Sequence, residues 1–197
     1  MTWITRGVTP LLLRQVEDEM EGSDRATAIV GGAFVEEHLT DALKSKMMKD
    51  EQLTRKIFLP GRAFGDFGAK VDLGYLIGAY SEQAHKELTT IRRIRNDFAH
   101  QLELNGFDRD DIRDRCQNLI LSQSKIVKAI RGEDGHSVVL TLGEMKKERD
   151  EEIPFSNFVF KTTPPTPRDR FVTACKFYIA AFAIIASHPH PIQEPLL

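Results

Sequence analysis

Apolar residues recur at three- and four-residue steps along most of the chain between residues 24 and 120. The first stripe is the longest, and it comprises Ala26, Ile29, Val30, Ala33, Phe34, Leu39, Leu43 and Met47. Later stripes are Leu88, Ile91, Ile94 and Phe98, and then Ile112, Cys116, Leu119 and Ile120. This spacing is typical of amphipathic helices that bury one face. It predicts an all-α bundle of about six or seven helices, with a long helix over 24–48 at its centre.

Turn and capping residues divide this pattern into helices. Ser23 and Ser81 are predicted helix caps, and Pro60 with Gly61 ends a helix over 51–58. Other helices are predicted over 11–20, over 64–79 with Gly74 and Gly78 on one face, over 81–100, from Asp108 onward, and over 168–187. We expect 64–79 and 81–100 to pair antiparallel, and 168–187 to close the core.

The whole chain, 1–197, is predicted to be one domain. Its core helices are expected within 24–130 and 168–187. Residues 131–166 contain short β-rich runs and a proline cluster, which predict an exposed excursion with a small hairpin. The proline-rich tail, 188–197, is expected to be disordered.

Composition narrows the classes of function. The 27 Lys and Arg residues against 29 Asp and Glu give a net charge of −2, which argues against a protein that coats DNA with a basic surface. Cys116 and Cys175 have no metal-type spacing and are predicted to be buried, in a reducing cytoplasm. Lys176 interrupts the most apolar stretch, so we expect a core helix and no membrane span. His188 and His190 lack a carboxylate or cysteine partner, so no metal is expected, and no motif indicates a cofactor.

The segment RRIRNDFAH, residues 92–100, is the best candidate for chemistry. On a helix, Arg92, Asn96, Ala99 and His100 share one side, so a guanidinium, an amide and an imidazole would cluster there. Such a cluster suits phosphate binding and proton transfer. The alternative is a structural polar network, in which His100 caps the helix end and Asn96 or Asp97 satisfies backbone groups. The spacing leaves both interpretations open.

A second set of polar residues lies in the neighbouring glycine-rich segment. Asp66, Lys70 and Asp72 would line a pocket near Arg95 if the two helices are antiparallel partners. A solvated position is nevertheless expected for Lys70, and also for His38 in the long helix. Residues 61–70 are not a phosphate loop, because the GK[ST] ending and the preceding strand are missing.

FGDFGAKVDLGYLIG followed by IRRIRNDFAH resembles the mannitol operon repressor family. The similarity covers about residues 24–122 and resumes weakly at 167–171. It implies an all-helical bacterial protein in transcription regulation. No segment fits a helix-turn-helix, so we expect a repressor that acts through a protein partner.

Arg95 and His100 also match the Arg-(four to six residues)-His motif of the HEPN superfamily. That resemblance implies an alternative function, a metal-independent endoribonuclease or toxin, acting on RNA or binding a nucleotide. Arg95 would then stabilise the phosphate, His100 would be the acid or base, and Asn96 would orient them. Arg92, Arg93, Lys70 and Asp66 are the further candidate binding residues. One protomer offers one such histidine, so a homodimer is expected, and whether the chain is an enzyme stays open.

Overall fold

The computed structural model describes residues 18, 20–47, 50–101, 103, 106–120 and 166–187. These residues form six α-helices and no strand, which confirms the all-α bundle. The helices are α1 (Asp24–Ser45), α2 (Glu51–Ile57), α3 (Phe67–Leu76), α4 (Glu82–His100), α5 (Asp110–Gln117) and α6 (Pro167–Ser187). The predictions for 11–20, 131–166 and 188–197 lie wholly or almost wholly outside the described residues.

Short polar side chains fix the starts of four helices. Ser23, Asp50, Asp66 and Ser81 each accept a hydrogen bond from the amide N–H three residues further on. These bonds satisfy one of the free donors that every helix start exposes. The starts predicted at Ser23 and Ser81 are therefore confirmed.

Two predicted boundaries are wrong. The helix predicted from Asp108 begins at Asp110, and Arg109 caps it without a side-chain hydrogen bond. The glycine-rich helix is shorter than 64–79, because Gly78 has a φ of +71° and lies in the turn after α3. Gly74 and Gly78 therefore do not share a helical face.

Helices α1 and α6 run parallel through the centre of the bundle. Arg168 pairs with Asp24 near the start of both helices, and the Ser45 hydroxyl donates to the Ile185 carbonyl near their ends, at 3.4 Å. Between them, Gly31 lets the helices approach closely, since a Cβ built there would lie 3.2 Å from Cys175 Sγ. The predicted role of α6 in closing the core is confirmed.

The buried side of α1 differs from the predicted one. Ala33 is exposed and His38 is buried, whereas the sequence pattern placed Ala33 in the core and His38 in solvent. The buried set is Thr27, Ala28, Gly31, Gly32, Val35, His38, Leu39, Ala42 and Leu43. This side of α1 is buried because its small residues let neighbouring helices come close. The prediction missed it because it was based on large apolar residues and did not include glycine.

Helices α3 and α4 pack against each other in antiparallel directions, as predicted. His85 Nε2 lies 2.8 Å from the Asp72 carboxylate, while further along α4 Arg92 contacts Gly68, nearer the start of α3. The predicted stripe of α4 is buried in full: Leu88, Ile91, Ile94 and Phe98.

Helix α6 has 21 residues and is long and apolar enough to pass a length-and-composition test for a membrane span. Eleven of these residues are buried within the bundle, as in the core helix of a soluble protein. Cys175 on α6 and Cys116 on α5 are both buried and free, as predicted, and burial raises the pKa of both thiols.

Candidate functional site

Helices α1, α3 and α4 bring two cationic side chains, Lys70 and Arg95, to one carboxylate, and a third cation, Arg92, lies one turn before Arg95 on α4 and packs against Gly68 of α3. We call this group the basic junction: Lys70 of α3, Arg92 and Arg95 of α4, and Glu36 of α1. The predicted grouping of Lys70 near Arg95 is found here.

Glu36 joins two of the three cations. Its Oε1 lies 2.7 Å from Lys70 Nζ, and its Oε2 lies 3.8 Å from Arg95 Nη2. Lys70 is only 7% exposed, so the expected solvated position is wrong. A buried ammonium needs a partner to offset its lost hydration, and Glu36 supplies one.

Two glycines make room for the two arginines. A Cβ built at Gly32 would lie 2.7 Å from both Cβ and Cγ of Arg95. A Cβ built at Gly68 would lie 2.8 Å from Cζ of Arg92. These glycine faces are therefore filled by side chains of the same chain.

Arg95 is held from several sides but retains an unused donor. Its Nη1 donates to the Asn96 side-chain oxygen at 2.9 Å. Its Nε is buried and has no acceptor among the residues that the structure describes. Arg95 and Asn96 are therefore in contact within one helix, and the orienting role of Asn96 stays a prediction.

His100 lies apart from the basic junction. It is exposed and is the last residue of α4. It comes five positions after Arg95, with four residues between them, so at 3.6 residues per turn the two side chains leave the helix about 140° apart. Within one chain, the two motif residues therefore do not face a common position.

The end of α4 is satisfied by groups other than His100. The guanidinium of Arg25 donates to the carbonyls of Phe98 and Gln101, the second at 2.8 Å. The Asp97 carboxylate pairs with Arg115 and accepts a hydrogen bond from the side-chain amide of Gln101 at 3.1 Å. The capping role considered for His100 is thus filled by Arg25, and Asp97 bonds to side chains.

The remaining predicted residues do not join the basic junction. Asp66 caps α3 by accepting from the Ala69 amide at 3.0 Å. Arg93 is exposed on α4. Asp72 is paired with His85. In the part of the chain described, no group of three or more His, Cys, Asp or Glu residues is placed to hold a metal ion.

Glu36 is the residue of this group that the sequence pattern did not single out. It follows Gly32 by four residues, so both lie on one side of α1. The sequence signal for Glu36 is a glycine one helical turn before an acidic residue, on a helix that packs against an arginine-rich helix.

Comparison with known proteins identifies a fold. A chain of the X-ray structure of the MtlR–HPr complex from Escherichia coli superposes with a TM-score of 0.56 at 12% identity, covering 88% of this chain and 99% of that chain. No family model matches the sequence, and no curated protein matches it. The chain therefore has a mannitol-repressor-like fold, the fold that the resemblance at the sequence level implied.

Proposed function

We propose that this chain is a cytoplasmic, mannitol-repressor-like regulator of transcription that acts by binding a protein partner. The observation that carries the proposal is the superposition on 99% of a chain from a complex between MtlR and a protein partner, HPr. The motif pair in residues 64–78 and 91–100 supports it independently. Fold alone does not decide function, so a binding experiment must test it.

The α2–α3 pair does not fit a helix-turn-helix. The connection between α2 and α3 runs over residues 58–66, longer than the tight turn of that motif. Helix α3 also buries Phe67, Val71 and Gly74, so it is not free to enter a DNA groove.

The C-terminal end of α3 offers the first place to test for a partner. Three consecutive apolar residues are exposed there: Tyr75 and Leu76 at the end of the helix and Ile77 directly after it, with Leu76 79% exposed. Contiguous exposed apolar surface of this kind is characteristic of protein interfaces.

The test is biolayer interferometry with the immobilised full chain and purified HPr from the organism that encodes it. We expect saturable binding that Leu76→Ser weakens at least tenfold. The matched control is Leu53→Ser, which removes an exposed leucine from α2 and should leave the affinity unchanged. Absence of saturable binding to HPr would contradict the proposal.

The ribonuclease alternative is tested separately. The full chain is incubated with mixed-sequence single-stranded RNA in excess EDTA, beside folded Arg95→Ala and His100→Ala variants. We expect no cleavage, because Arg95 is held by Glu36 and Asn96 and faces away from His100. Cleavage that both variants abolish would establish the HEPN-type activity instead.

A further inference from the structure

We propose that the basic junction binds the phosphoryl group of a small phosphate-bearing molecule. The inference concerns a ligand site and does not depend on the protein partner proposed above. It stands on the charges of Lys70, Arg92, Arg95 and Glu36, and on the position of the Arg92 guanidinium against Gly68.

The first argument is the charge of the junction. Three cations against one carboxylate leave two positive charges, 3 − 1 = 2. A phosphate monoester carries about −1.5 to −2 at pH 7, so one phosphoryl group would neutralise the excess. The arginines stay charged at any physiological pH.

The second argument is that the Arg92 guanidinium has a defined position against α3 but no hydrogen-bond acceptor among the described residues. Arg92 is a partly buried residue, and its guanidinium lies over Gly68, where a Cβ would be 2.8 Å from Cζ and 3.0 Å from Nη1. It makes no hydrogen bond or ion pair with any residue that the structure describes. A guanidinium with no acceptor among those residues leaves several N–H donors available to a ligand.

The third argument is the strain between like charges. Arg92 and Arg95 lie three residues apart on α4, and like charges at one-turn spacing destabilise a helix. Arg92 also lies beside the first turn of α3, the positive end of that helix. Arg95 Nε adds a buried donor with no acceptor among the described residues. A bound oxyanion would offset the first two of these unfavourable terms.

The ligand class follows from the donor set. Two planar guanidinium groups and an ammonium favour a tetrahedral oxyanion, because guanidinium donors bind phosphate oxygens in pairs. A small ligand is favoured over RNA, because the chain has a net charge of −2 and the junction holds one phosphoryl charge rather than a basic track.

The experiment measures binding of defined probes by the full chain in phosphate-free buffer at constant ionic strength. The probes are inorganic phosphate and glucose 6-phosphate, with glucose and sodium chloride as controls. We expect saturable calorimetric binding and, at 100 times Kd, a rise in Tm of about 5–10 °C. Tighter binding of glucose 6-phosphate assigns the site to esters, and equal binding assigns it to free phosphate.

Matched variants locate the site. Arg92→Gln should weaken binding at least tenfold, whereas Arg93→Gln removes the same charge from the neighbouring exposed position and should change affinity less than twofold. Gly68→Ala keeps every charge but displaces the Arg92 guanidinium, so it should also weaken binding while the circular dichroism spectrum is retained.

Three results would overturn the inference: no phosphate binding, equal losses in the Arg92 and Arg93 variants, or unchanged affinity in Gly68→Ala. Binding of a short single-stranded RNA without binding of either small probe would also overturn it and indicate a nucleic-acid surface. Loss of HPr binding with phosphate binding retained would refute the proposed function alone, so the two proposals fail separately.

Discussion

Replacing Glu87 by alanine should be among the most damaging single changes in the described helices. Glu87 on α4 is 1% exposed, and its carboxylate accepts hydrogen bonds from at least three groups. The Tyr178 hydroxyl at 2.9 Å and the Ile120 amide at 3.0 Å come from other parts of the chain, and the Gln83 side chain at 3.0 Å comes from α4 itself.

The magnitude follows from which donors lose their acceptor. Gln83 lies at the half-exposed surface and can turn to water, whereas the Tyr178 hydroxyl is buried and the Ile120 amide is part-buried. A hydrogen bond to a charged group contributes about 1.5–3 kcal/mol, so losing two predicts a drop in unfolding free energy of about 3–5 kcal/mol. For a chain of this size, that lowers Tm by about 6–20 °C.

The assay is urea and thermal unfolding followed by circular dichroism at 222 nm. Glu87→Gln should lose only about 1–2 kcal/mol, because the amide keeps an acceptor oxygen. The control is Glu82→Ala, five residues earlier on α4, whose exposed pair with Lys86 should matter little. If Glu87→Ala unfolds at the same temperature as Glu82→Ala, the reasoning about this buried acceptor is refuted.

Three further changes test the packing and the buried polar groups. Gly32→Ala should lower stability by about 1 kcal/mol, since its Cβ would lie 2.7 Å from the stem of Arg95 and overpacking outweighs the helix preference of alanine; a higher Tm would contradict this. His38→Leu should leave Tm unchanged or raise it by about 2–4 °C, because His38 Nε2 is buried without a partner among the described residues, and a large fall would show that one exists. Burial and the Glu87 carboxylate raise the pKa of Tyr178 well above its usual 10.0. The stabilisation from its neutral hydroxyl is therefore complete below pH 10 and is lost above it, where the unfolded chain ionises, so Tm should fall above pH 10 less steeply in Tyr178→Phe than in the parent.

The packing of α4 was predictable because two local signals agree there. Ser81 is a residue type that favours the N-cap of a helix, and the stripe from Leu88 to Phe98 repeats at helical spacing. Both depend on side chains within one element, and the structure confirms both. The antiparallel pairing with α3 was also predictable, since a short connection leaves neighbouring helices few other arrangements.

The buried side of α1 was not predictable from the same kind of signal. Gly31 and Gly32 contribute nothing to an apolar stripe, yet they decide where α6 and Arg95 approach. His38 and Lys70 were expected in solvent because isolated polar side chains usually are. Lys70 is buried beside Glu36 of another helix, whereas His38 is buried by helix packing and bonds only the Phe34 carbonyl of its own helix among the described residues.

The sequence by itself determined the helical class, most helix starts and the candidate segment with Arg92, Arg95, Asn96 and His100, because capping and periodicity act over a few residues. Only the tertiary structure decided how those residues are used: it places Lys70 and Glu36 beside Arg95, gives Arg92 no hydrogen-bond or ion-pair partner among the described residues, and leaves His100 exposed at the end of α4. The physical reason is that charge pairing and close approach depend on distances between helices, and local sequence patterns do not encode those distances.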